Sequence, residues 1–417
     1  MEYRKRIVER ELKEKLNAGG ALLIRGPKSC GKTETATQFA KSTLNVDTDE
    51  QVPYIMDTDP KRLLLGKTPR LIDEWQEQPK LWTYIKREID IRKQKAQFLL
   101  TGSSTPKDNA KMHSGAGRFT ILDMRTMSWQ EMGYSTAKAS LKDLLDGKTI
   151  KVVDSALDFE VIVERMLKGG WPALLDSSVK ESVLMNRAYI KLFAEADMSK
   201  IANVKRDPIK VYAILKSLAR NISTVVDNAT ILRDIKEIQN EDISRPTLYD
   251  YLDAMARLMV IEDQPAWNTH IRSSASLRRS PKRHITDVSL AIASLGVDKG
   301  ALLKDVKFTG FLFESLVIHD LRVYAQANDA GVYYYGDSSG LEVDAIIQKY
   351  NGGWSAFEVK LGAGMIEAAA TNLKKLTEIL DTKKISRPKS LNIITGTGIS
   401  YTRPDGINII SLGSLGV

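Results

Sequence analysis

The run Gly26-Pro27-Lys28-Ser29-Cys30-Gly31-Lys32-Thr33 has the residue types and spacing to hold a polyphosphate. Its glycines let the backbone wrap so that N–H groups face an anion. Lys32 can reach the outer phosphates, and the Thr33 hydroxyl can join a magnesium ion. The pattern carries this meaning only between a strand and a helix. Both flanks comply: apolar Ala21-Leu22-Leu23-Ile24 precedes it, and Glu34 to Ala40 reads as a helix whose N-terminal dipole favours an anion. Gly26, Pro27, Ser29, Cys30, Gly31, Lys32 and Thr33 are therefore expected to hold ATP, with Mg2+ as its metal. Further on, Pro69 to Gln76 reads as an apolar strand ending in Asp73-Glu74. Adjacent acids at a strand end divide the work of NTP hydrolysis, which assigns Asp73 to the metal and Glu74 to the attacking water. Another buried strand, Gln97 to Leu100, runs into Thr101 and Ser103, hydroxyls able to sense the terminal phosphate. Arg118, just before the strand Phe119 to Met124, is far from its own phosphate loop but can face a neighbouring subunit. A guanidinium supplied there would meet the charge that develops on a transferring phosphoryl group.

Together GPKSCGKT, LIDEWQ, FLLTGSS and a Gly-Arg pair before a strand resemble the AAA+ family of prokaryotic ATPases fused to a C-terminal domain of uncharacterised function. The likeness covers nearly the whole chain. It implies an ATPase working as a homo-oligomer, a hexameric ring or spiral, with Arg118 as arginine finger. Gly170-Trp171-Pro172 is similar to the lid turn of signal-transducing NTPases, which implies that Pro172 packs on the adenine. A helix stop followed by a proline-started helix would show the same residues.

A second constellation lies near the C-terminus. Gly340 to Ile347 and Trp354 to Lys360 read as strands, and Phe308 to Ala325 as an apolar helix carrying Glu314. An acid in so apolar a helix is costly to bury without a partner. Period-two alternation puts Glu342 and Asp344 opposite Val343 and Ala345, and Glu358 and Lys360 opposite Phe357 and Val359. Asp344, Glu358 and Lys360 can thus share a pocket beneath Glu314. Glu314, Asp344 and Glu358 would bind a divalent metal while Lys360 activates water or stabilises a phosphate. The helix–strand–strand order resembles PD-(D/E)xK nucleases, archaeal Holliday-junction resolvases and restriction endonucleases among them, with Glu358 and Lys360 catalytic. That resemblance implies branched or duplex DNA as substrate. Val343 stands where the motif's name places a proline. The set reads as an active nuclease, as a degenerate nuclease fold that only binds DNA, or as an edge salt-bridge network between Lys360 and the acids.

Between the two lies a basic stretch. Helices over Val211–Arg220, Ala229–Gln239 and Arg245–Leu258, the last with Ser244 as N-cap and Pro246 in its first turn, suggest a winged helix-turn-helix. Arg245 and Thr247 would enter a groove, and Arg272, Arg278, Arg279, Lys282 and Arg283 would contact phosphates from a flexible wing. A solvated basic loop on a small protein-binding helical domain is the plainer alternative.

The elements needed to position these residues give an α/β chain in four parts. These are an AAA+ core over 1–134, a helical lid over 135–205, a winged helix over 206–300 and a nuclease-like α/β/α domain over 301–417. Strands are expected at Pro53–Asp57 and at the positions above. The 417 residues are 43% hydrophobic and 27% charged, ordinary for a globular protein. Cys30 is the single cysteine, so no disulfide framework exists and a cytoplasmic location is expected. No apolar run is long enough to cross a bilayer. The net charge of +9 fits a polyanionic partner without demanding one.

Overall fold

The computed structural model describes residues 2–102, 115–155, 157–201, 204–268, 280–380 and 385–417. Helix α1, Glu9–Ala18, has Glu9 and Glu11 in its first turn and Lys15 in its last, each suited to its end of the helix dipole. It buries Leu12 and Leu16 against a parallel sheet of strands β1 (Ala21–Arg25), β2 (Ser42–Asn45), β3 (Arg70–Asp73), β4 (Phe98–Gly102) and β5 (Phe119–Asp123). The order is β2-β3-β4-β1-β5. Apolar residues on both faces of β1 and β4 feed two cores, one with Leu22, Ile24 and Leu99, the other with Leu23, Phe98 and Leu100. Such two-sided burial is what continuous apolar runs of parallel strands require. Parallel pairing also brings the C-terminal ends of β1, β3 and β4 to one edge, where the phosphate loop, Asp73 and Thr101 all lie.

The second strand is not the expected one. Pro53 to Asp57 lies within the helix Gln51–Thr58, and the strand is Ser42–Asn45. Pro53 sits in the first turn, where its missing N–H costs nothing, and Val52 and Met56 share the buried face at helical spacing.

Past β5, the helices Phe159–Lys168 and Val179–Leu192 flank the turn that holds Pro172. Gly169 takes φ 74°, and a Cβ on Gly170 would meet the Met127 carbonyl at 2.3 Å, so the turn needs both glycines. Within the segment expected as lid, β6 (Ala139–Ser140) pairs with β13 (Leu415–Gly416), and Val153 bridges Ser400. Those residues are fastened to the C-terminal part of the chain. Three helices follow, Pro208–Arg220, Asn228–Gln239 and Arg245–Arg257, capped by Asp207, Asp227 and Ser244. Two antiparallel bridges, Ile261 with Ile285 and Gln264 with Lys282, then join the chain segments on either side of residues 269–279.

The C-terminal sheet has β7 (Ala330–Gly336), β8 (Glu342–Lys349), β9 (Trp354–Lys360), β10 (Leu391–Thr395), β11 (Tyr401–Thr402) and β12 (Asn408–Ser411) in the order β11-β12-β10-β9-β8-β7. The long helix Val306–Gln326 covers one face and the helix Ile366–Ile379 the other. Alternation along β8 is interrupted. Tyr333 pairs with Ile346 but Tyr335 with Val343, a bulge that sends Val343 to one core and Ala345 to the other. The two were expected on one face. Bulges of this kind re-aim a side chain, here beside Asp344. Among the described residues no helix is long and apolar enough to cross a membrane.

Candidate nucleotide site and a buried carboxylate–lysine cluster

The phosphate loop turns through two left-handed positions, Ser29 at φ 61° and Gly31 at φ 97°. Gly26 admits no side chain, because a Cβ there would meet the Met124 carbonyl at 2.2 Å. Lys32 is buried and donates to the carbonyls of Gly26 at 3.0 Å and Pro27 at 2.9 Å. Thr33 donates its hydroxyl to Asp73 Oδ1 at 2.8 Å, and Thr101 donates to the same oxygen. Glu74 comes next at φ 50°, its carboxylate accepting from the Gln76 amide. Left-handed backbone at a residue with a side chain is uncommon and concentrates at functional sites.

A cavity of about 500 Å3 opens over this loop, lined by Lys28, Lys32, Thr33, Glu74, Pro172 and Leu175, among others. Its size is in the range of a small-molecule site. Thr33 and Asp73 present the oxygen donors magnesium takes, and Lys32 with the loop N–H groups supplies positive charge for phosphates. The residues present therefore fit a magnesium nucleotide. Pro172 Cγ comes within 3.4 Å of where a Cβ on Gly31 would stand, so the lid turn touches the loop closely. Ser103 lies outside the described residues. Arg118 is at the N-terminal end of β5, the sheet edge opposite the loop, and pairs with Asp90 at 2.6 Å on a partly exposed surface.

Sequence reasoning missed two residues that hold this site. Arg6 donates to the Cys30 carbonyl at 2.8 Å, to Glu131 at 2.9 Å and to the Arg125 carbonyl at 2.9 Å. Burial would raise the Glu131 carboxyl, but the Arg6 charge and the N–H groups of Ser128 and Ile7 outweigh it and hold it below the ordinary value. Glu131 had a local signal, as the acid of an S-x-x-E capping box with Ser128. Arg6 had none. Lys28, inside the loop, pairs with Asp197 at 2.6 Å.

The basic stretch departs from expectation. Arg245 is exposed and Thr247 half-buried, its hydroxyl 2.8 Å from Ser244 Oγ. Arg272, Arg278 and Arg279 lie outside the described residues. Lys282 and Arg283 are not on a solvated wing. Arg283 is buried against Asp263 and donates to Asn228 at 2.8 Å. The Lys282 side chain is 1% exposed and reaches Glu314 at 2.8 Å, Glu342 at 2.6 Å and Asp344 at 3.4 Å. A buried cation needs paired carboxylates, and those of Lys282 are supplied from distant parts of the chain.

Glu314, Asp344, Glu358 and Lys360 do come together, with Lys282 among them. Lys360 pairs with Asp344 at 3.1 Å and Glu358 at 2.6 Å, Asn372 donates to Glu358 at 2.6 Å, and the Val359 N–H to Asp344 at 2.8 Å. Burial, reinforced by the Asp344 charge, pushes Glu314 and Glu358 up to about 8. For Asp344 burial acts in the same direction, but Lys282 and Lys360 prevail and hold it low. Among the described residues no group of three or more His, Cys, Asp and Glu is arranged to hold a metal ion. The expected metal role of Glu314, Asp344 and Glu358 does not fit this arrangement, since an ammonium stands between Glu314 and Asp344.

Residues 18–133, which carry the phosphate loop and the parallel sheet behind it, match the family model described as "AAA domain". Residues 160–301 and 309–415 match two further models, "Domain of unknown function (DUF8612)" and "Domain of unknown function (DUF4143)". Uncharacterised proteins of Mycobacterium tuberculosis and Mycobacterium bovis are each 24% identical over 355 residues, 84% of this chain and 72% of theirs. Among solved structures, a Walker-type ATPase of Pyrococcus abyssi aligns over 69% of this chain and 94% of its own, at 12% identity and a TM-score of 0.41. A signal-transduction ATPase with a tetratricopeptide-repeat sensor from Pyrococcus horikoshii aligns over 77% of this chain and 48% of its own, at 13% identity and a TM-score of 0.21.

Arg6→Ala leaves Glu131 buried without its counter-charge, a loss of about 3–5 kcal/mol in urea unfolding. A change too small to measure would show that the pair is not a support of the loop. The cluster also sets a pH dependence. Glu314 and Glu358 hold protons up to about 8 when folded, against an ordinary 4.5, so their stabilisation is complete below that ordinary value and is lost as pH rises through about 8. Melting temperature should fall across this window, and Glu358→Gln should flatten the fall.

Proposed function

We propose that the chain is a magnesium-dependent ATPase that acts as a homo-oligomer on DNA. The observation that carries the ATPase reading is the Thr33 to Asp73 hydrogen bond of 2.8 Å, with Thr33 and Lys32 lining the nucleotide-sized cavity. In this reading Lys32 and the loop N–H groups bind the β- and γ-phosphates, while Pro172 and Leu175 pack on the base. Thr33 and Asp73 hold magnesium, which neutralises charge on the phosphates when bound. Glu74 orients the attacking water and accepts its proton as the bond to the departing diphosphate breaks. Arg118, at the opposite sheet edge, would complete a neighbour's site rather than its own.

For DNA, the support is the order of elements between Pro208 and Ile285. Three helices followed by an antiparallel pair is the order of a winged helix-turn-helix, with Arg245 exposed at the start of the third helix. Arg245, Thr247 and the Arg272, Arg278 and Arg279 stretch would form the contact. The C-terminal topology, a helix over three antiparallel strands followed by a second helix and a parallel strand, supports a restriction-endonuclease-like domain.

A second reading is a nucleotide-dependent switch whose C-terminal domain binds DNA or protein without catalysis. Lys282 and Lys360 favour it, because together they pair with every carboxylate of the cluster.

Lys32→Ala should abolish ATP hydrolysis in purified protein; an unchanged rate would remove the assignment. Arg118→Ala should cut hydrolysis while nucleotide binding persists, and the wild-type rate should rise with protein concentration. Rates indifferent to both would end the in-trans role. Single-stranded, duplex and branched DNA should stimulate the wild-type rate unequally, with Arg245→Ala losing the effect. Absence of any DNA effect would leave the switch reading.

A further inference from the structure

Lys282 reaches the carboxylate cluster from outside the C-terminal sheet, and its backbone is fixed on the way in. Its N–H donates to the Gln264 carbonyl at 3.0 Å and its own carbonyl accepts from Gln264 at 2.9 Å. The Gln264 side chain in turn donates to the carbonyls of Tyr333 at 3.0 Å and Asp344 at 2.9 Å, in β7 and β8. Two residues on, buried His284 is 3.0 Å from Ser315 Oγ on the long helix. Tyr334 donates its hydroxyl to the Ser280 carbonyl at 2.6 Å. Polar ties on both sides of Lys282 therefore clamp its segment onto the strands and helix that bear the carboxylates.

The ammonium has three donors, and Glu314, Glu342 and Asp344 provide three acceptors from the long helix and the start of β8. Oxygens converging on one point from separate elements are also what a divalent cation would use, at about 2.0–2.6 Å. Both cannot be present. A divalent ion among these oxygens would lie within a few ångströms of a full positive charge, between buried Glu314 and Asp344 with only Glu342 reaching solvent, where repulsion is less screened than in bulk water.

We propose that Lys282 is a built-in plug, an intramolecular cation that occupies the divalent-metal position between Glu314 and Asp344 and keeps the cluster metal-free in the intact chain. With its charge removed, the side chains of Glu314, Glu342 and Asp344, which are not arranged to hold a metal while Lys282 stands among them, become free to close on a divalent ion. The plug stands apart from the ATPase reading, since none of its residues lines the nucleotide cavity.

The test is Mn2+ binding to the full-length chain, followed by electron paramagnetic resonance and calorimetry. An Asp73→Asn background removes the acid expected to hold the nucleotide's metal. With Lys282 present no Mn2+ should bind at the cluster up to millimolar concentration. Lys282→Met should gain about one equivalent with at least tenfold tighter binding, and adding Asp344→Asn should abolish the gain. Mn2+ bound by the Lys282 protein and released by Asp344→Asn alone overturns the proposal. So does a folded Lys282→Met protein, judged by circular dichroism and a cooperative thermal transition, that gains no site. Should Lys282→Met not fold, Lys282→Gln keeps a hydrogen-bond donor without the charge and is read the same way.

Discussion

A full positive charge at 1% exposure can persist only where negative charge surrounds it, and Lys282 is such a charge. Its partners Glu314, Glu342 and Asp344 lie on the long helix and on β8, while Lys282 lies in the segment that follows residues 269–279. Meeting their electrostatic demand brings that segment, the long helix and the C-terminal sheet into one arrangement. The bulge in β8 belongs to the same solution, because it breaks the alternation at Asp344, whose carboxylate accepts from both lysines and from the Val359 N–H. The cluster thereby joins two parts of the chain that local pattern reads as separate.

The nucleotide site obeys a different constraint. Parallel strands in register deliver their C-terminal ends to one edge, so Thr33, Asp73 and Thr101 meet although they lie far apart in sequence. Ladder hydrogen bonds do most of the positioning, and buried polar contacts finish it. Arg6 ties the Cys30 carbonyl to Glu131, and Lys28 ties the loop to Asp197 beyond the lid turn. Through these contacts the loop is held by residues before and after the sheet as well as by the strand that carries it.

Much of the first site was legible because its signals are local. A glycine-bounded loop needs its glycines in fixed order, and an acid pair at an apolar strand end is visible as a run. Helix boundaries near Ser244 and Val306 were legible for the same reason, since caps and apolar spacing act within a turn or two. Pro53 to Asp57 misled because a short apolar run fits either period, and only the packing of Val52 and Met56 decides between them. The break in alternation along β8 has no signal in the sequence, since it depends on how β7 pairs with the strand.

The amino-acid order by itself determined the phosphate loop, the Asp73-Glu74 strand end, the helical runs of the middle and the four-residue set near the C-terminus. Each is written in neighbours a few residues apart, where backbone geometry and hydrophobic period operate. Only the tertiary structure decided what the basic stretch does with Lys282 and Arg283, and that Arg6 supports the loop. A charge's fate depends on whether water or a carboxylate surrounds it, and that carboxylate can come from anywhere in the chain. The same lysine that reads as a solvated phosphate contact in sequence becomes, once Glu314 and Asp344 are brought beside it, the buried cation at the centre of the cluster.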